Sequence, residues 1–275
     1  MPLLPARNIR NTPVERRQRL APQDKPDVRR HPLRMREERK LSLKNRVALL
    51  GLLPLALVTM ITVVEMTRRV LHEGGVLANP ELRMFAFGGA VWMVAFLGLR
   101  LRPDWLYVLG HELSHALVAL LTGGKVYAVR VTRQGGYVET NKTGTLVSLA
   151  PYLIPFYVLL LLLGFGLAAL FLDVSATRFV SLGGLALPVR PVSVLAALCG
   201  FAWSFHITYT LRTLRDEQSD LTRNGEFFSV LLIFVANAAQ MLLLFVLASP
   251  HPEAGALRVI ECWWGVARGM FLWFL

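Results

Sequence analysis

Charge is what this sequence has least of: Asp, Glu, Lys and Arg make up 17% of its 275 residues, against roughly 25% in an ordinary soluble domain. That shortfall excludes a water-solvated globule of usual composition. Acidic residues are the scarcer kind, 18 against 30 Lys and Arg, for a net charge of +12. Cysteine is nearly absent. Cys199 and Cys262 stand alone in apolar stretches, which excludes a thiolate zinc site and a disulfide framework and leaves two small core residues. Nothing near Met1 reads as a cleavable signal peptide. No internal repeat of the kind that marks many transporters is found.

What is present is apolar length. Hydrophobic residues make up 54% of the chain, and they fall in runs of about twenty, the length that crosses a hydrocarbon core of roughly 30 Å. The expected fold class is an all-α polytopic membrane protein of about six or seven transmembrane helices. The expected spans are Val47 to Thr67, Met84 to Leu99, Trp105 to Thr122, Leu146 to Leu172, Val192 to Leu211 and Phe227 to Ala248. Leu257 to Leu275 is apolar but carries Arg258, Glu261 and Arg268, so it is either a seventh span or an interfacial helix, with Trp263, Trp264 and Trp273 favouring the interface. Between the third and fourth spans, Tyr127, Val129 and Val131 alternate with Arg130 and Thr132, and Gly135-Gly136 precedes Tyr137-Val138. This reads as a short β-hairpin, and as the only strand signal in the chain.

The positive charge is concentrated at one end. Residues 1–46 hold 14 Lys and Arg against 5 Asp and Glu, so the remainder carries only +3 of the net charge. This Pro- and Arg-rich stretch, with few aromatics and no sustained helical period, reads as a disordered basic tail, followed by a membrane domain over 47–275. The excess of cations beside the first span places the N-terminus in the cytoplasm. Anionic lipid is the expected partner of the tail, rather than nucleic acid, because headgroups suffice to explain a basic arm at a membrane.

One stretch carries chemistry. His111-Glu112-Leu113-Ser114-His115 lies inside the third expected span. Residues four apart share a helix face, so His111 and His115 can offer imidazole nitrogens to one tetrahedral metal. Glu112, on the same turn, can take a proton from a metal-activated water that attacks a peptide carbonyl and return it to the leaving amine. Ionisable groups buried in a bilayer usually mark a site. His206 in the fifth span and Asn237 in the sixth are further polar residues at membrane depth, either of which can face the site or join helix to helix; Asn237 fits packing better.

The string from His111 to Val126, HELSHALVALLTGGKV, followed by Gly135-Gly136, resembles the site-2 protease-like family of intramembrane zinc metallopeptidases, most closely from Tyr107 to Tyr152. The resemblance implies cleavage of a membrane-spanning substrate near the membrane, with Zn2+ held by His111, His115 and a distant Asp. In the family that Asp stands in a Leu-Asp-Gly context, a string this chain lacks. Its nearest equivalent is Ser219-Asp220-Leu221, with Gly225 further on, which makes Asp220 the expected third ligand. Counting spans favours His206 instead: with the N-terminus inside, His206 lies nearly level with His115, whereas Asp220 emerges on the outer side. A transporter and a non-catalytic metal-binding membrane scaffold are the competing functions; a scaffold has no need of Glu112 as general base.

Overall fold

The computed structural model of the chain describes residues 30–72, 79–132, 135–215, 219–247 and 252–273. It divides into two compact units, Met1–Ser42 and Leu43–Leu275. The described residues are mostly helical. In order they form α1 (Arg30–Val47), α2 (Leu53–His72), α3 (Pro80–Met93), α4 (Asp104–Leu121), β1 (Val126–Thr132), β2 (Gly135–Thr140), α5 (Thr145–Leu153), α6 (Phe156–Ala169), β3 (Arg178–Leu182), β4 (Leu185–Val189), α7 (Pro191–Thr213), α8 (Ser219–Thr222), α9 (Glu226–Leu247) and α10 (Pro252–Trp273).

Among the described residues, four stretches are long and apolar enough to cross a membrane: Glu38–Arg69, Pro80–Gly98, Pro191–Thr213 and Glu226–Leu244. Treating α5 and α6 as one broken span makes five, below the six or seven expected. The motif helix α4 and the C-terminal helix α10 form as expected but do not pass that test of length and composition, because their ionisable residues dilute short apolar stretches.

The fourth expected span is not one helix. It breaks between Leu153 and Phe156, where α5 and α6 meet at 76°. Pro155 lacks an N–H and disfavours helical geometry at Ile154, and Ile154 is extended, with φ −116° and ψ 115°. The break strands carbonyls at the end of α5. Two side chains one turn apart on α9 satisfy them: Asn237 Nδ2 donates to the Tyr152 carbonyl at 3.0 Å, and Gln240 Nε2 to the Leu153 carbonyl at 2.6 Å. Backbone carbonyls removed from water require such partners.

The expectation of a single strand pair is also corrected. β1 and β2 pair antiparallel as foreseen, and β3 and β4 form a second hairpin, turning at Gly183 and Gly184 with φ of 58° and 86°. A two-residue turn with positive φ at both positions suits Gly-Gly. The signal lay in Phe179-Val180-Ser181-Leu182 before that pair.

The expected disordered tail needs a boundary change. Residues 1–29 lie outside the described residues, whereas Arg30–Val47 is helical. That segment is rich in Arg, Lys, Glu, Leu and Met, which favour helix by propensity even where no apolar face repeats. After α1 the helix widens over Ala48–Leu52, just before Pro54, which cannot donate to the carbonyl four residues back.

The core that positions the site is built on a close helix crossing. α3 and α7 touch through glycines: a Cβ on Gly88 would lie 1.8 Å from the Ala197 carbonyl oxygen, and one on Gly200 would lie 1.9 Å from that of Phe85. Small residues allow such close backbone approach between helices. Beyond the crossing, Trp92, Phe96, Phe205 and Tyr209 form a buried aromatic cluster. Tyr107 of α4 stacks on Tyr209 with ring centroids 4.6 Å apart, joining the motif helix to that core.

Candidate metal centre

α4 is held at both ends and at its middle. Asp104 in its first turn accepts from Tyr209 Oη at 2.9 Å and from Arg212 at 2.8 Å, both on the last turns of α7. A carboxylate there also complements the positive end of the helix. Gly110 leaves room for the Tyr157 ring, which a Cβ would approach to 2.8 Å, and Tyr157 Oη donates to the Leu106 carbonyl at 2.6 Å. At the far end Gly123, with φ 80°, turns the chain out, and the Gly124 N–H closes on the Ala119 carbonyl at 2.7 Å.

His111 and His115 therefore face one side of a fixed helix, and their Nε2 atoms are 3.3 Å apart. Asp220 completes a triangle: its Oδ2 is 3.8 Å from His111 Nε2 and 3.7 Å from His115 Nε2. The three residues are the one group of potential metal ligands found among the described residues. A tetrahedral zinc site with ordinary bonds to nitrogen and oxygen has ligand-to-ligand edges of roughly 3.3–3.4 Å. The triangle is thus slightly wider than a metal requires.

The chemistry of the donor set also fits a cation. His115 Nδ1 lies 2.6 Å from the Val147 carbonyl, so it must be the donor, and a neutral ring then turns a lone pair at Nε2 toward its neighbours. His111 Nδ1 lies 3.2 Å from Tyr107 Oη, which also accepts from Thr213 Oγ1 at 3.0 Å. Two imidazole lone pairs and a carboxylate so arranged make a pocket of acceptors that a cation or a proton must fill. Asp220, on a short helix between spans, is partly buried, which by itself would raise its pKa. The closeness of the His111 and His115 Nε2 atoms, 3.8 and 3.7 Å away, outweighs that and holds it well below the usual carboxylate range.

Glu112 is 6% exposed and lies beneath the first hairpin. A Cβ on Gly136 would come within 2.7 Å of its Cγ and 3.0 Å of its Oε1. Glu112, the two histidines, Asp220 and the β2 residues Gly135 to Val138 line a single open cleft of about 700 Å³.

Of the two candidates for third partner, Asp220 joins the histidines and His206 does not. His206 is buried elsewhere, its Nε2 3.2 Å from Asn237 Oδ1, joining α7 to α9. The depth argument assumed unbroken spans and placed Asp220 far from the site, yet its carboxylate lies 3.7–3.8 Å from the two histidines. The break between α5 and α6 upsets that count, and α8 turns back onto α4.

Sequence reasoning missed several residues of the site. Tyr107 stands four residues before His111, a spacing that places it on the same helix face and that was open to notice. Val147 contributes a backbone carbonyl, which no side-chain pattern reveals. Thr213, Asn224 and Lys44 reach the site region only through the tertiary fold.

The fold and the cleft together define a helical chain with membrane-length apolar helices and a His-His-Asp cluster beside a buried glutamate. No family model, curated protein or solved structure matches the chain.

Proposed function

We propose that this chain is an intramembrane zinc metalloprotease, a hydrolase of peptide bonds in membrane-spanning protein substrates. The observation that carries the reading is the convergence of His111, His115 and Asp220, with ligand atoms all within 4.8 Å of one another, in the cleft that also holds Glu112. His111 and His115 would bind zinc through Nε2 and Asp220 through a carboxylate oxygen, three protein ligands that leave a fourth tetrahedral position open. Bound there, zinc supplies a Lewis acid that makes water nucleophilic near neutral pH.

The remaining roles belong to the protein. Glu112 takes the proton of the attacking water and hands it to the departing amine. The Val147 carbonyl and Tyr107 hold the two Nδ1 atoms, which fixes the rings and keeps Nε2 free for the metal. The β2 strand beside Glu112 offers main-chain groups to an unwound substrate segment, whatever its side chains. The likeness of HELSHALVALLTGGKV and the following Gly-Gly to the site-2 protease-like family supports the same reading.

In this reading α4, the broken α5–α6 pair and α10 are embedded alongside the four longer helices, which gives the six or seven spans expected from the sequence. The basic N-terminal side faces the cytoplasm and its anionic lipid. The test is Glu112→Gln, with zinc content and cleavage of a single-span substrate measured on the same preparation. The enzyme reading expects full zinc and no cleavage. Zinc bound and no cleavage even by the parent protein would instead favour the metal-binding scaffold.

A further inference from the structure

Asn224, which follows α8, is 4% exposed and uses its whole side chain. Its Oδ1 accepts from Lys44 Nζ at 2.8 Å and from Thr145 Oγ1 at 2.9 Å. Its Nδ2 donates to the Asp220 carbonyl at 3.0 Å and to Ser148 Oγ at 3.1 Å. One amide thus joins three separate parts of the chain. These are the end of α1, the first turn of α5 and the short helix that carries Asp220.

Each of those parts bears on the cluster. Asp220 is the third member of the triangle, and Asn224 grips its peptide group. Thr145 and Ser148 flank Val147, whose carbonyl fixes the His115 ring. Lys44 also donates to Thr145 Oγ1 at 3.2 Å and lies 5.5 Å from the centre of the Phe228 ring. The cation therefore closes a network that includes the backbone supports of both His115 and Asp220. A buried amide whose four bonds run to three segments holds their spacing more tightly than packing alone, and removal of one partner leaves its neighbours unsatisfied.

We infer that Asn224 and Lys44 are positioning residues for the metal centre, with Lys44 carrying the end of the basic N-terminal helix into the site. The inference rests on the zinc reading above. The functional consequence is that the ligand triangle is tuned from outside the motif helix, by Lys44, far upstream of His111 in the sequence. Metal affinity then depends on how the first span begins.

The experiment is competition for zinc between the full-length detergent-purified protein and a chromophoric chelator. It is run on the parent, Lys44→Met, Asn224→Ala and the double variant, with melting of each metal-free protein measured alongside. Supporting groups behind metal ligands typically change affinity by about 10–100-fold. Lys44→Met should raise the zinc Kd about tenfold and leave the metal-free melting temperature near the parent's. Asn224→Ala should raise it further, and the double variant should be no weaker than Asn224→Ala alone, because the lysine acts through the amide. An unchanged Kd in Lys44→Met overturns the inference, as does a double variant whose loss is the product of the two single losses. A lowered melting temperature with unchanged Kd marks a merely structural contact and overturns it equally. Should Asn224→Ala not fold, Lys44→Met decides by its Kd alone. If the parent itself takes up no zinc, the metal reading fails, an outcome distinct from any difference among the variants.

Discussion

Gly136 lies directly on Glu112. A methyl group at Gly136 would sit 2.7 Å from the Glu112 Cγ and 2.6 Å from the Arg130 carbonyl oxygen across the hairpin. The strand and the glutamate are therefore fitted to one another, and no side chain can be inserted between them without moving one.

Gly136→Ala tests that fit. The substitution should leave zinc bound, because the atoms a Cβ there would press on belong to Arg130 and Glu112 and not to the three ligands, yet lower kcat about 10–100-fold by displacing Glu112 or the strand by a fraction of an ångström or more. Zinc content and steady-state cleavage, measured together, check it. Parent-level kcat would show that neither the strand nor the glutamate needs its present position.

The third ligand is settled by zinc stoichiometry. Asp220→Asn should lose tightly held zinc while remaining folded, and His206→Ala should keep it, since His206 bonds to Asn237 and lies outside the cluster. The reverse pattern would restore the assignment that span counting favoured.

The α3–α7 crossing makes a prediction about stability alone. Gly88→Ala places a carbon 1.8 Å from a backbone oxygen of α7, which no rotamer change relieves. Overpacking of this kind costs about 1–3 kcal/mol. Unfolding in mixed micelles should show the loss, with a similar loss for Gly200→Ala at the same crossing.

Truncation separates the tail from the site. Removal of residues 1–39 should leave zinc binding and folding near the parent level, because Lys44 is retained. Removal through Lys44 should weaken zinc binding as Lys44→Met does. Equal behaviour of the two truncations would separate the N-terminal helix from the metal centre.

The contrast between what the sequence revealed and what it hid has a physical cause. His111, Glu112 and His115 were legible because helix periodicity alone puts them together, and the stop at Gly123 and Gly124 was legible because glycine ends helices. The boundaries of α7 and α9 followed from apolar length. The partnership of Asp220 with the histidines joins segments far apart in the chain, and neither it nor the 76° break between α5 and α6 was encoded locally. The same break created the need for Asn237 and Gln240 as partners for stranded carbonyls, so Asn237, which suggested a site or simple packing, repairs the backbone together with Gln240, a residue the sequence did not single out. Asn224 sits in an unremarkable Arg-Asn-Gly turn; its four side-chain bonds exist only once distant segments have met.

The measurement that bears most directly on the central claim is cleavage of a single-span test substrate after metal removal verified by elemental analysis. The account predicts that activity falls to background in the stripped protein and returns on addition of zinc, since water activation here belongs to a metal held by His111, His115 and Asp220. Undiminished cleavage by protein shown to contain no metal would contradict it.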